Sequence, residues 1–136
     1  HEYWKKRMAN PELRQRHTNE VKRWASSQRD RAIRIVSKDE TPKCENCGCP
    51  SIEILEINHK NGGGYKEGYS KFYHAIVIGE RQTSDLNILC RVCNALHYVE
   101  ISHPEVQGRF TVLFHEKPVI EEGTTFSMTF NVPKDA

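Results

Sequence analysis

Cys44, Cys47, Cys90 and Cys93 form two C-x2-C pairs set far apart in the chain. Each pair can place two thiolates on one ion, and four thiolates close a tetrahedral zinc shell with no position left for water. Zinc held that way is structural. Cys49 is the odd fifth cysteine. It is read as a spare thiol, the alternative being that it replaces Cys47 as a ligand. Two knuckle spacings without a secretory pattern fit a metal site in a reducing compartment better than a disulfide framework. Between the pairs stands Glu56-Ile57-Asn58-His59-Lys60-Asn61, followed by Gly62, Gly63 and Gly64, and Asn94 comes directly after the last cysteine of the pairs. Histidine as a residue type titrates at about pH 6.5, so a neutral imidazole can take a proton from water near neutral pH. The glycine run is no phosphate loop, since no Lys-Ser/Thr follows it.

This arrangement resembles the HNH (ββα-metal, or His-Me finger) endonuclease superfamily, and within it the zinc-containing branch similar to phage recombination endonuclease VII and phage HNH proteins. The resemblance covers residues 44–100, extends in outline to the basic segment before them, and does not reach residues 105–136. It implies structural zinc on Cys44, Cys47, Cys90 and Cys93. It makes His59 the general base and Asn58 and Asn94 the ligands of a catalytic Mg²⁺ or Mn²⁺. His97, three residues after Asn94 on the same helix face, is the alternative ligand. Asp85 stands where the family's middle Asn ties the loop back to the strand, with Asn87 as a nearby substitute. One departure matters. The family's first ligand is most often Asp, and Asn58 carries no charge, so metal binding would lean on substrate phosphate oxygens and water. The implied activity is hydrolysis of DNA phosphodiester bonds, by nicking or double-strand cleavage. Residue chemistry agrees with that assignment: asparagine oxygens suit a hard cation, which stabilises the leaving oxygen, and the imidazole takes the proton of water. The competing reading is a zinc knuckle that binds nucleic acid without cutting, for which His59 would be superfluous.

Positioning these residues takes both helices and strands. Asn10-Pro11-Glu12 has the composition of a helix start. Val21, Trp24, Ala25, Ala32 and Val36 then recur at helical spacing, predicting one or two basic helices over residues 11–37 that end before Thr41-Pro42. Residues 51–58 alternate as a strand with Ile52, Ile54 and Ile57 inward. Residues 69–79 read as a short helix or strand, Leu86 to Leu89 as a strand, and Cys90 onward as a knuckle running into a helix that Pro104 stops. Phe110, Val112 and Phe114, then Phe126, Met128, Phe130 and Val132, alternate around Glu121-Glu122-Gly123, which predicts a C-terminal β-hairpin. The expected fold class is α+β: a basic N-terminal helical arm (1–43), a small zinc-stabilised core of ββα-metal type (44–103), and a β-hairpin extension (104–136).

With 136 residues, 37% hydrophobic and 28% charged, the chain can bury one modest core, which is where a metal staple helps most. The net charge of +2 conceals an asymmetry. Residues 1–43 hold twelve Lys/Arg against six Asp/Glu, a net of +6, and the remainder is net −4. A basic arm on a mildly acidic body points to an anionic polymer as partner. Arg14, Arg16, Lys22, Arg23, Arg29, Arg31 and Arg34 are expected to track DNA phosphates, and Arg91 to touch one. Lys60, Lys66 and Arg81 are read as solvated. The expected partner is DNA, branched or nicked sites included, and not a membrane. The expected setting is the cytoplasm, for a prokaryotic or phage-encoded chain. His1 stands where a complete chain would have Met, so the sequence is read as one that need not be whole. The oligomeric state stays open, a dimer included.

Overall fold

Asn10 starts the longest helix as its chemistry dictates. Its Oδ1 accepts hydrogen bonds from the backbone N–H groups of Glu12 (2.9 Å) and Leu13 (3.3 Å), and Pro11 fills a first-turn position that needs no donor. The computed structural model describes residues 1–119, without the side chains of Tyr69 and Ser70. Helix α1 (Glu2–Ala9) precedes α2 (Pro11–Ser37), and α2 stops at Lys38, whose φ of 57° is left-handed. Then come strand β1 (Leu55–His59), helix α3 (Tyr69–Val77), strand β2 (Leu86–Cys90) and helix α4 (Arg91–Ser102). Single 3-10 turns lie at Ile52–Ile54, Gly64–Lys66 and Pro104–Val106. The fold among the described residues is α+β, four helices around a two-stranded antiparallel sheet.

Three expectations change. The strand begins at Leu55, because Ile52–Ile54 form a 3-10 turn. The residues the expected hairpin would use, 110–119, form no strand, and the rest of that hairpin, from residue 120, lies outside the described residues. The division at residue 43 is not a break in packing, since the second half of α2 belongs to the core. Ala32 and Ile33 are fully buried there. Among the described residues, no helix is long and apolar enough to cross a membrane.

The register pairs Leu55 with Cys90, Ile57 with Ile88 and His59 with Leu86, so these side chains share one face. Ile33 of α2 packs there with Leu55, Ile88 and Cys90, while Ala32 joins Phe72 and Ile76 of α3 and Leu86. The other face carries Glu56, Asn58, Asn87 and Leu89, with α4 packed against both strands. The loop holding the first cysteine pair docks on the free edge of β2. Glu45 N–H donates to the Ile88 carbonyl at 2.9 Å, and the Glu45 carboxylate accepts from Ile88 N–H at 2.7 Å. Ile88 thereby has both backbone groups satisfied without a third strand.

Arg29 departs most from its expected place. Rather than facing phosphate, its guanidinium donates to the carbonyls of Ile52 (3.0 Å), Glu53 (3.4 Å) and Leu55. Those three carbonyls turn toward one cation, which is why Ile52–Ile54 curl before the strand begins. Arg29→Met keeps the apolar stem and strands the carbonyls, which costs about 1–3 kcal/mol when polar groups are left buried without partners. Chemical denaturation should show that loss for Arg29→Met and a change within about 0.5 kcal/mol for the exposed Arg16→Met.

Candidate active site and metal centre

The Sγ atoms of Cys44, Cys47, Cys90 and Cys93 all lie within 4.8 Å of one another, and Cys47 Sγ stands 3.7 Å from Cys90 Sγ. Four sulfurs at about 2.3 Å from a tetrahedral zinc are about 3.8 Å apart, so the cluster is consistent with a structural Zn²⁺. Local backbone makes this possible. Gly48, at φ 83°, turns the first knuckle so that its N–H reaches the Cys44 carbonyl at 2.9 Å, and Cys44 N–H reaches the Cys49 carbonyl at 2.9 Å. The second pair spans the junction of β2 and α4, where Cys90 caps the helix by accepting from Cys93 N–H at 3.4 Å. Asn46 Nδ2 donates to Cys93 Sγ at 3.3 Å. Burial pushes the Cys47 and Cys93 thiols up. At Cys44 burial also pushes upward, but hydrogen bonds from the backbone of Cys47, Cys90 and Asn46 outweigh it and bring the thiol down to about 7. Four such thiols cannot all ionise in one buried spot without a cation among them. Cys49 lies outside the cluster, packed at 1% exposure in the core.

His59 ends β1 on the same face as Ile57, and its ring is held from three sides. Phe72 stacks on it (centroids 5.1 Å apart, planes at 29°), and Glu67 Oε2 lies 2.5 Å from its Nε2. Gly64 borders the third side, and because a Cβ there would fall 2.5 Å from Nδ1, only glycine leaves that nitrogen room. Arg81 clamps the carboxylate in turn, donating from Nε to Glu67 Oε1 at 2.8 Å and from both terminal nitrogens to Asp85 at 2.8 Å. The Arg81 hydrogen bond holds Glu67 below the usual carboxylate range and brings Asp85 to about 2. Groups with depressed folded pKa lend stability that is complete above their ordinary values and lost only as pH falls through the folded ones. The clamp therefore stays ionised at neutral pH and comes apart toward about pH 2. An ionised Glu67 only accepts, so Nε2 of a neutral His59 carries the proton and Nδ1 keeps the basic lone pair.

Asn58 lies on the opposite face of the strand, 6% exposed, with Nδ2 donating to Asn87 Oδ1 at 2.8 Å across the sheet. Asn94, in the first turn of α4, donates from Nδ2 to Glu56 Oε2 at 2.7 Å. Glu56 also accepts from Arg91 Nε at 3.1 Å. The structure thus gathers Glu56, Asn94 and Arg91 into one hydrogen-bonded group and ties Asn58 to Asn87. Both amides donate, and among the described residues neither Asn58 Oδ1 nor Asn94 Oδ1 accepts a hydrogen bond. These are oxygens a hard cation would take, so the donor set fits Mg²⁺ or Mn²⁺ in kind. His97 is not part of this group. It lines a cleft of about 550 Å³ with Asn87, Glu45 and Glu100, and its buried Nε2 has no partner among the described residues.

Of the residues expected on DNA, Arg14, Arg16, Lys22, Arg23 and Arg31 are exposed, and Arg91 is 68% exposed despite its bond to Glu56. Arg34 is half-buried and donates from Nε to the Glu40 carbonyl at 3.2 Å. Arg81, read as solvated, is an internal clamp instead. Asp85 binds that clamp with its carboxylate and accepts from Lys60 N–H with its carbonyl at 2.9 Å, tying the end of β1 to the turn before β2. Sequence reasoning passed over Glu56 and Glu67. Glu56 had a signal, since it sits two residues before Asn58 and shares its strand face. Glu67 had none, because only the folded loop brings it to His59.

One zinc per chain should be found by native mass spectrometry. Cys90→Ser should lose it together with the ordered structure of residues 44–100, because site formation and folding are one process in small metal domains. Cys49→Ala should keep its zinc. A folded, zinc-free chain would overturn the assignment. These features stand on the chain's own geometry, for it matches no family model, no curated protein and no solved structure.

Proposed function

We propose that this chain is a metal-dependent endonuclease of HNH type that hydrolyses DNA phosphodiester bonds, with His59 as general base. The observation that carries the reading is the pose of His59. Its ring is stacked on Phe72, its Nε2 faces an ionised Glu67, and Gly64 lies against its Nδ1 side, where a Cβ would collide. A histidine that merely filled space would need no clamped carboxylate. With Nε2–H donating to Glu67, Nδ1 takes the proton from an attacking water. The imidazolium formed then has its charge opposite Glu67, which Arg81 keeps ionised.

A divalent cation, when bound, supplies stabilisation of the charge that builds on the phosphoryl and leaving oxygens. The chain's part is to offer it neutral and anionic oxygens from Asn58, Asn94 and Glu56 on the α4 side of the sheet. Asn58 and His59 are successive residues, so their side chains leave the strand on opposite faces. A phosphodiester bond reaches both only at the end of β1, where the strand stops and the glycine loop begins. The exposed cations of α2 add affinity without taking part in the chemistry, each phosphate contact releasing condensed counterions.

His59→Ala should cut the rate of supercoiled-plasmid nicking in Mg²⁺ or Mn²⁺ by about 10² to 10⁴, the usual worth of a general base, while zinc content and DNA affinity stay near wild type. If the variant cuts within a few-fold of wild type, His59 is not the base. If wild type leaves supercoiled, linear and branched DNA uncut in either metal yet binds them, the chain is a non-catalytic zinc-knuckle binding module.

A further inference from the structure

The neutral Asn58 leaves a cation site short of charge, and the structure contains a carboxylate able to make up the deficit. Glu56 stands two residues earlier on the same face of β1, its side chain 33% exposed, with one oxygen 2.7 Å from the Asn94 amide and the other 3.1 Å from Arg91. An asparagine amide turned half a revolution about its last torsion presents oxygen where nitrogen stood. Glu56 Oε2 and Asn94 Oδ1 would then be neighbours at the separation the pair already has. Adjacent oxygens in an octahedral Mg²⁺ shell of 2.0–2.1 Å bonds are about 3 Å apart. Asn58, on the same face and buried, carries a third side-chain oxygen, its amide nitrogen being held by Asn87. Arg91, 68% exposed, is the positive charge now balancing Glu56, and among the described residues its guanidinium makes no other hydrogen bond.

We infer that Glu56 is the carboxylate ligand of a hard divalent cation, sharing it with Asn94 and Asn58, and that Arg91 is the resident counter-ion the cation displaces. The inference rests on the metal-dependent reading above. It adds that the charge expected at position 58 is supplied from position 56, one strand repeat away. A freed Arg91 is then available to a phosphate, so occupancy of the site and binding of an anionic substrate favour each other.

Mn²⁺ alone is the probe, titrated into the zinc-loaded full chain and followed by electron paramagnetic resonance of the free ion. Four zinc-bound thiolates do not exchange for Mn²⁺, which prefers oxygen. Wild type should bind one Mn²⁺, Glu56→Gln should weaken binding at least tenfold, and adding Asn58→Asp to that variant should restore most of it. Arg91→Ala should tighten binding several-fold. Zinc content and melting temperature report folding of each variant. Should Glu56→Gln lose its zinc, Arg91→Ala decides alone: tighter Mn²⁺ binding supports the site and unchanged binding overturns it. Mn²⁺ uptake by folded Glu56→Gln equal to wild type, or no uptake by wild type at millimolar Mn²⁺, also overturns it. Cleavage separates the two levels. A wild type that binds Mn²⁺ through Glu56 but cuts no DNA defeats the nuclease and keeps the site. An enzyme that cuts, with the same metal requirement in Glu56→Gln, defeats the site and keeps the nuclease.

Discussion

Four thiols meeting at one point are the constraint on which the rest of the structure depends. The described core is thin: Ile33, Leu55, Ile88 and Cys49 are the largest side chains it buries completely. A sheet of two five-residue strands does not hold its register in water by itself. The cysteine cluster joins the loop before β1 to the junction of β2 and α4. That fixes where α4 begins, and so where Asn94, the residue after Cys93, meets Glu56. The same loop sets Glu45 against the free edge of β2, so one metal-sized site settles an edge, a helix start and the height of α4 over the sheet. Removing any one thiolate leaves three partial charges and an open shell, which is why cost at this position is expected to be cooperative rather than local.

Strand alternation then distributes the chemistry. His59 emerges on the face packed by α2 and α3, where Phe72 and the Gly64 turn immobilise its ring, whereas Glu56, Asn58 and Asn87 emerge beneath α4. Two different environments result one residue apart. The histidine lies against apolar ring surface and a clamped carboxylate. The oxygen donors lie on a polar, partly open face. The proposed base and the proposed cation site would gain from such separation, since a cation in contact with the imidazole would compete for the lone pair that has to accept the proton.

What was legible in the sequence was whatever depends on neighbours in the chain. The Asn10 cap, the C-x2-C spacings and the β2-to-α4 junction are local, and the structure has them where expected. Ile52 and Ile54 alternate like strand residues, yet they form a 3-10 turn. The competing influence is Arg29, more than twenty residues away, which draws the carbonyls of Ile52, Glu53 and Leu55 to its guanidinium. Arg29, expected among the phosphate-tracking cations, precedes Ala32 and Ile33 by three and four residues, the spacing that places it beside the buried stripe. Charge counting could not see this, because composition records how many cations a helix has and not which way each points. The Glu67 contact was out of reach for a different reason. The loop from Gly62 to Gly68 carries no periodicity, and only folding carries Glu67 back to the histidine.

Helix α2 unites the two themes. Its second half is architecture: Gln28 bonds His74, Arg29 gathers the carbonyls before β1, and Ala32 and Ile33 fill the sheet face. Its first half, with Arg14, Arg16, Lys22 and Arg23 exposed, has few such ties, but it is the same continuous helix and inherits the direction set by the buried half. A helix advances about 1.5 Å per residue, so the exposed cations extend from the core at fixed intervals instead of sampling space as a disordered tail would. For the proposed binding of a polyanion, ordering these charges beforehand would remove part of the entropic cost of lining them up on it. Two functions that look separable by charge, a scaffold and a basic surface, are thereby carried by one helix. A change in the buried half of α2 would redirect the surface half without altering any of its charges.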